Sequence, residues 1–349
     1  MLDEYNREID YVRISITDRC NLRCVYCMPD KGVEFISHEE ILSYEEIIRL
    51  CRSFAKLGIG KVKITGGEPL VRKNLPFLIK SIKEIEGIKN VTLTTNGIAL
   101  ADQVKDLVNA GIDSINVSLD TLNPEHFKRL TRFDKIGQVI KGIKETLKYE
   151  NVTLKLNCVP LNTEDKQDIL DLVALAKDNL IHVRFIEVMP IGMGKELEGF
   201  TEEEIKELIS KKYGPLAPYK DKLGNGPAKY YKLDGFKGKI GFISAVSHKF
   251  CSSCNRIRLT ADGYLKNCLQ YSSGRDLKKI IRSGLTDDEL VEAIRLAIND
   301  KPKEHQFNEY NIKKTNIEDI DGSNNISSKF NADNNFDDLE NRRMSQIGG

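Results

Sequence analysis

Two rhythms of apolar positions alternate along the chain. Short runs rich in β-branched residues, Tyr11–Thr17, Lys61–Thr65, Val91–Thr95, Ser114–Leu119, Val152–Val159 and His182–Val188, predict strands. Between them, apolar residues recur at three- and four-residue spacing in Tyr44–Leu57, Leu75–Ile85, Ala101–Ala110, Ile136–Tyr149 and Glu164–Lys177, which predicts helices. Strands separated by helices of this length predict βαβ units, and hence an α/β fold with a parallel sheet. Six such strands are two short of an eight-fold barrel. An open doubly wound sheet fits the same pattern, and the pattern alone does not separate the two.

After about Ile191 the alternation weakens. A helix with an acidic first turn is expected at Thr201–Lys212, and Gly and Pro then crowd residues 214–227, which reads as a boundary. The expected division is a core domain over residues 4–220 and a smaller α+β domain over 221–303. The second holds short strands (Tyr230–Leu233, Lys239–Ser244, Ile257–Leu259) and helices at Asp276–Ile281 and Asp287–Ile298. Residues 304–341 are rich in Asn, Asp, Ser and Lys, so few apolar groups offset ordering entropy and a disordered linker is expected. Residues 342–349 end in the less polar Met344-Ser345-Gln346-Ile347-Gly348-Gly349. An ordered tip after such a tether implies a function for it.

Charge and composition narrow the classes. The 349 residues carry a net charge of +1, so no global basic field recruits nucleic acid. No apolar stretch approaches the roughly 20 residues that span a bilayer, and the polar start is no signal peptide. The expected compartment is the cytoplasm, where thiols stay reduced. The eight cysteines therefore read as ligands, core residues or nucleophiles.

Three of them, Cys20, Cys24 and Cys27, follow the first strand with three and two residues between them. A loop bearing three soft thiolates suits one face of an iron–sulfur cube and leaves one iron open to a small molecule. A tetrahedral zinc site would want a fourth ligand, and the nearest His is His38. The spacing resembles the signature of radical S-adenosylmethionine (SAM) enzymes. In that superfamily the open iron is chelated by the cofactor's methionine, and reductive cleavage gives a 5′-deoxyadenosyl radical. Tyr26 sits where the superfamily has an aromatic residue. Thr65-Gly66-Gly67-Glu68-Pro69 resembles its turn for the methionine amino group. Ser118, Asp120 and Met189 end strands, where α/β barrels place their sites.

A second set, Cys251, Cys254 and Cys268, has two and thirteen residues between its members. From spacing alone, a zinc ribbon completed by His248 is as good a reading as a cluster. Between these cysteines, Arg256 and Arg258 alternate on a strand and face one side, which suits a polyanion. The stretch Cys-x2-Cys-Asn-Arg-x-Arg-Leu-Thr-x-Asp-Gly, the later Cys268, the first motif and the Gly-Gly terminus together resemble the GTP 3′,8-cyclase family of molybdenum cofactor biosynthesis. The resemblance covers residues 3 to about 303 and resumes near Arg342, with a longer Asn-rich stretch between than the family pattern has.

That resemblance implies a lyase with an incomplete (β/α)6 TIM-type barrel, whose open side is covered by a smaller C-terminal α+β domain carrying a second cluster. It implies two [4Fe-4S] clusters and SAM as cofactors, with cluster one on Cys20, Cys24 and Cys27 and cluster two on Cys251, Cys254 and Cys268. The implied reaction cyclises GTP to (8S)-3′,8-cyclo-7,8-dihydroguanosine 5′-triphosphate, which cyclic pyranopterin monophosphate synthase then consumes; a low-potential donor supplies electrons. Tyr26, Gly67, Ser118 and Met189 match cofactor contacts. Arg13, Thr94, Lys155, Arg256, Arg258 and the Ile257 backbone match GTP contacts, with Arg184 a further candidate. Lys63 stands where the family often has Arg, keeping the charge but losing the bidentate fork. Gly348 and Gly349 match the terminal tail that reaches into the active site, so they join Arg256 and Arg258 as catalytic candidates.

The remaining cysteines, Cys51 and Cys158, read as core residues. His126 and His182 read as structural, without ligand-like neighbours. The rival readings are another radical SAM enzyme with an auxiliary cluster, and a zinc or nucleic-acid-binding module. Monomer and homodimer both fit the sequence.

Overall fold

The computed structural model describes residues 1–307, 339, 340, 342 and 344–347. Six strands follow the expected order: β1 (Tyr11–Ser15), β2 (Lys61–Thr65), β3 (Asn90–Thr95), β4 (Ser114–Ser118), β5 (Thr153–Cys158) and β6 (Ile181–Ile186). Each pairs in parallel with the next. The linking helices are α1 (Tyr44–Lys56), α2 (Leu75–Lys83), α3 (Leu100–Asn109), α4 (Pro124–Thr131), α5 (Ile136–Thr146) and α6 (Lys166–Asp178). Local signals set their starts: Ser43 and Glu46 form a capping box on α1, and the Asp165 side chain caps α6. Helix α4 was not expected. It is only eight residues long, and its cue is the Asn123 cap followed by Pro124.

The sheet does not stop at the Gly- and Pro-rich stretch. After α7 (Glu202–Tyr213) come β7 (Ala217–Tyr219), β8 (Lys229–Lys232), β9 (Ile240–Ile243), β10 (Arg256–Leu259), β11 (Tyr264–Lys266) and β12 (Gly274–Asp276), then α8 (Leu277–Arg282) and α9 (Asp287–Asn299). All twelve strands form one sheet in the order β12-β11-β10-β1-β2-β3-β4-β5-β6-β9-β8-β7. Strand β10 joins β1 in parallel and β9 joins β6 in parallel. The C-terminal region therefore flanks the six-stranded core on both sides. The architecture is an incomplete barrel whose sheet has two free ends among the described residues.

Strand alternation divides the sheet into two chemistries. Val12, Ile14, Val62, Ile64, Leu93, Val117, Leu156 and Val183 are wholly or almost wholly buried in the main apolar core, which also takes Ile47, Cys51 and Phe54 of α1. Cys158 is in the same core, as expected of a small apolar residue. The intervening positions carry Arg13, Lys63, Thr92, Asn116, Lys155 and Arg184, all on the other face.

His126 departs from its expected isolation. Its Nδ1 lies 2.7 Å from Asp168 Oδ2, and Asp168 accepts from the Thr121 hydroxyl at 2.5 Å. Together with Glu164 it forms a group close enough to hold an ion, but Glu164 already pairs with Arg129. The expected structural role stands as a hydrogen-bond network between α4 and α6.

The two ends of the described chain meet through Arg7. Its side chain is 4% exposed and pairs with Asp3 at 2.6 Å. Its guanidinium also donates to the carbonyls of Cys251 (3.2 Å), Lys303 (2.8 Å) and Pro302 (2.9 Å). Removing it leaves a buried carboxylate and several carbonyls unpaired. Arg7→Ala is expected to cost about 3–5 kcal/mol, read as a lower denaturant midpoint at unchanged slope. Asp288→Ala, which breaks the exposed pair between Asp288 and Lys56, should leave the midpoint unchanged.

Candidate functional site

The first cysteine loop is held by the second strand's turn. Gly67 N–H donates to the Thr17 carbonyl at 2.6 Å and Glu68 N–H to the Arg19 carbonyl at 2.7 Å. A Cβ on Gly67 would lie 2.4 Å from the Arg19 carbonyl oxygen, so only glycine permits this approach. The Gly-Gly turn thus grips the lead into Cys20. Glu68 is buried and accepts from the Thr95 hydroxyl (2.7 Å), Asn96 N–H (2.6 Å) and Leu70 N–H (2.9 Å). Burial raises its carboxyl to about 7 against those hydrogen bonds. Asn96 reaches Asn21 at 2.7 Å and the Cys20 sulfur at 3.8 Å.

Tyr26 lies between Cys24 and Cys27 and donates its hydroxyl to Asp120 Oδ2 at 2.7 Å. Asp120 is fixed in turn by the Val159 N–H at 2.8 Å, and burial raises its carboxyl to about 6. Burial also pushes the Cys20 thiol up to about 11, and burial followed by Cys27 and Asp120 pushes Cys24 well above its ordinary range. Three thiolates gather there only beside a strongly cationic centre. His38, the nearest histidine in sequence, instead meets Arg19 at 2.8 Å.

The second triad faces the same space. Cys251 and Cys254 bracket a short 3-10 turn before β10, and Cys268 follows β11. Burial pushes the Cys254 thiol up, but the Lys301 and Arg256 charges outweigh it and bring it to about 6. Lys301 is buried and donates to the Arg256 carbonyl at 2.8 Å and the Asn267 carbonyl at 2.5 Å. His248, the expected alternative zinc ligand, is turned away, with its ring nitrogens 3.9 Å from Glu202 and 3.7 Å from Glu203. Among the described residues, the one group of His, Cys, Asp and Glu whose ligand atoms all lie within 4.8 Å is His126, Glu164 and Asp168. Neither cysteine triad is drawn to the spacing of a single tetrahedral ion. Thiol type, burial and spread all fit an iron–sulfur cluster.

All six of these cysteines line one cavity of about 320 Å³. Tyr26, Gly67, Ser118 and Met189 line it beside the first triad's loop and the strand ends. Arg13, Thr94, Arg256 and Arg258 line it as well, and Arg256 lies 5.1 Å above the Phe250 ring. Ile257 turns its side chain into the apolar core, so only its backbone runs between the two arginines. Gly348 and Gly349 lie outside the described residues, as does most of the expected linker. Within that linker, however, His305 and Phe307 are buried and line the cavity.

Lys63, Lys155 and Arg184 are not among the cavity's lining residues but share the sheet face that carries Arg13. Lys63 pairs in register with Arg13, which pairs in turn with Arg258. Burial, then the charges of Arg184, Arg13, Lys155 and Arg256, holds the Lys63 ammonium well below its usual range. Burial followed by Arg184 brings Lys155 down to about 7, where it donates to the Leu223 carbonyl. Burial acts on Arg13 and Arg258 in the same direction, yet a guanidinium keeps its proton. The inner face is therefore a stack of like charges that an anion would relieve.

Sequence reading missed Arg7, Glu68 as a hydrogen-bond hub, Asn96 and Lys301. The Asn96-Gly97 turn after β3 was a usable signal for one of them. Arg7 and Lys301 had none, because each acts on segments distant in sequence: Arg7 on residues 251 and 303, and Lys301 on residues 256 and 267.

Comparison with known proteins matches this arrangement. Residues 14–176 match the radical SAM superfamily, and residues 181–307 match the domain family described as Molybdenum Cofactor Synthesis C. A GTP 3′,8-cyclase of Clostridium perfringens (strain 13 / Type A) is 48% identical over 307 residues, covering 88% of this chain and 95% of that protein. A GTP 3′,8-cyclase of Petrotoga mobilis is 44% identical over 328 residues, covering 92% of this chain and all of that one. The crystal structure of Streptococcus suis SuiB bound to S-adenosylmethionine has a TM-score of 0.56 at 15% identity, over 75% of this chain and 60% of that one, which supports the fold. With nearly half its residues identical to such relatives along almost their whole length, the chain belongs to the GTP 3′,8-cyclase family of the radical SAM superfamily.

Proposed function

We propose that this chain is a GTP 3′,8-cyclase holding two [4Fe-4S] clusters, one on each cysteine triad, with SAM at the first and GTP at the second. The observation that carries the reading is the single cavity faced by both triads and by Arg13, Arg256 and Arg258. A nucleoside triphosphate matches the charge of that wall, and Arg side chains grip phosphate oxygens through two N–H groups.

The clusters and SAM would supply, when bound, one-electron cleavage of a carbon–sulfur bond and an open iron for the purine. The chain's own residues orient and exclude. Tyr26, locked to Asp120, and the Gly67 turn fix the space around the first triad. Lys301 and Arg256 keep Cys254 of the second triad ready to be thiolate, while burial pushes Cys251 up. Thr94 and Ser118 offer hydroxyls at the strand ends between the two. Strands β9 and β10 flank the core sheet on both sides and limit the approach of oxygen, which traps carbon radicals.

The protein reconstituted anaerobically should contain about eight irons with matching sulfide. On reduction with SAM and GTP, it should yield the cyclised triphosphate and 5′-deoxyadenosine. Iron near half that value would leave one triad without a cluster, and mainly zinc would overturn the reading.

Lys155 gives a pH dependence. Its ammonium is depressed to about 7 in the free protein, and an adjacent polyanion favours the charged form, so binding takes up a proton. GTP affinity should fall as pH rises through about 7. Lys155→Met should flatten that slope in isothermal titration while SAM binding stays unchanged.

Deleting Gly348 and Gly349 should abolish cyclisation and leave iron content intact. Full turnover by that truncation would remove the tail from the mechanism.

A further inference from the structure

The described chain ends at Phe307 and resumes at Leu339, and one short loop meets both ends. Gln270 accepts through its side chain from the Gln306 N–H at 2.5 Å, and its own carbonyl accepts from the Glu340 N–H at 2.7 Å. Next to it, Tyr271 forms an antiparallel bridge with Leu339. Beneath this loop lies Lys266, the last residue of β11. Its wholly buried side chain pairs with Glu340, whose side chain is 2% exposed. Lys266 also donates to the Tyr271 carbonyl at 2.5 Å, and Glu340 Oε1 accepts from the Arg342 N–H at 2.9 Å.

Lys266 does not tolerate burial without its carboxylate, while Glu340 also pairs with the Arg342 guanidinium at 3.0 Å. Lys266 is especially exposed to this constraint, since it faces Arg258 across the β10–β11 register. Without Glu340 it would add one more cation to a wall already crowded with them. Just beyond the pair, α10 (Met344–Ile347) brings Met344 to the cavity, and Ile347 packs with Ile191 and Phe307 at 1% exposure. The pair therefore sits where the returning chain is redirected toward the site.

We infer that Lys266 and Glu340, with the loop at Gln270 and Tyr271, form a clasp that fixes the register of the C-terminal tail. The clasp holds both ends of the Asn-rich excursion, so the tail's delivery to the cavity is independent of the length of that excursion. Lys266 and Glu340 are positioning residues, and the link from clasp to catalysis rests on the tail reading above. The docking of the tail does not.

The experiment measures hydrogen exchange at residues 344–347, iron content and cyclisation in four variants of the full chain. Glu340→Gln strands Lys266 and should speed exchange there by about a hundredfold, the scale of stranding one charge of a buried pair, whereas Lys266→Met leaves Glu340 with Arg342 and should speed it less. Cyclisation should fall with them at unchanged iron content. The double variant Lys266→Met/Glu340→Gln removes the buried cation together with its partner, leaves only the part-exposed Arg342 guanidinium without a carboxylate, and should recover about tenfold of the Glu340→Gln loss. Replacing residues 312–334 with a short Gly/Ser linker should leave exchange and activity near those of the parent. Parental exchange in both single variants, additive losses in the double, or loss of docking on shortening the excursion would each overturn the clasp. The truncation lacking Gly348 and Gly349 separates the two ideas. If it is active, the tail reading fails while exchange still decides the clasp. If it is inactive while Glu340→Gln stays docked and active, the clasp fails alone.

Discussion

Everything in this molecule depends on keeping like charges apart from water without separating them from one another. Strand alternation sends Val12, Ile14, Val62 and Ile64 into the helical layer and leaves Arg13 and Lys63 on the inner face beside Arg258. An ordinary α/β barrel fills that interior with branched apolar side chains. Here it holds cations whose ionised forms burial opposes, above all Lys63 and Arg258. The apolar half of each strand carries the fold, which leaves the inner face free to be a strained, anion-seeking surface.

The thiol groups divide along the same electrostatic line. Around Cys24 the neighbours are Cys27 and Asp120, so burial and repulsion favour the neutral thiol. Around Cys254 they are Lys301 and Arg256, and the thiol is acidic. Cys254 thus has protein cations beside it that favour the thiolate, and Cys24 has none among the groups that shift it.

Closure of the cavity is a problem of the chain's ends. Arg7 near the start joins Asp3 to the carbonyls of residues 302 and 303, and Lys301 joins β10 to the Cys268 loop. Strands β9 and β10 extend the parallel sheet on opposite sides of the six-stranded core. The region read from sequence as a smaller second unit thus supplies both shoulders of the site. Its short strands gain their partners from β1 and β6, which local pattern cannot reveal.

The sequence by itself determined the six core strands, five of the six linking helices and the two cysteine motifs whose six thiols line one cavity. These are local properties: a two-residue alternation, a capping box at Ser43, a fixed spacing after a strand. It also singled out Arg256 and Arg258, because position on a strand is enough to say that alternate residues share a face, while Arg13 entered through the family resemblance. What only the tertiary structure decided is which distant groups become neighbours. Spacing left His248 as a fourth ligand, and packing turned it toward Glu202 and Glu203. Composition assigned residues 304–307 to a linker, yet His305 and Phe307 are buried against the cavity. Arg7, Lys301 and the pair of Lys266 with Glu340 carry no sequence signal, since burial makes such groups important and burial is set by the whole fold.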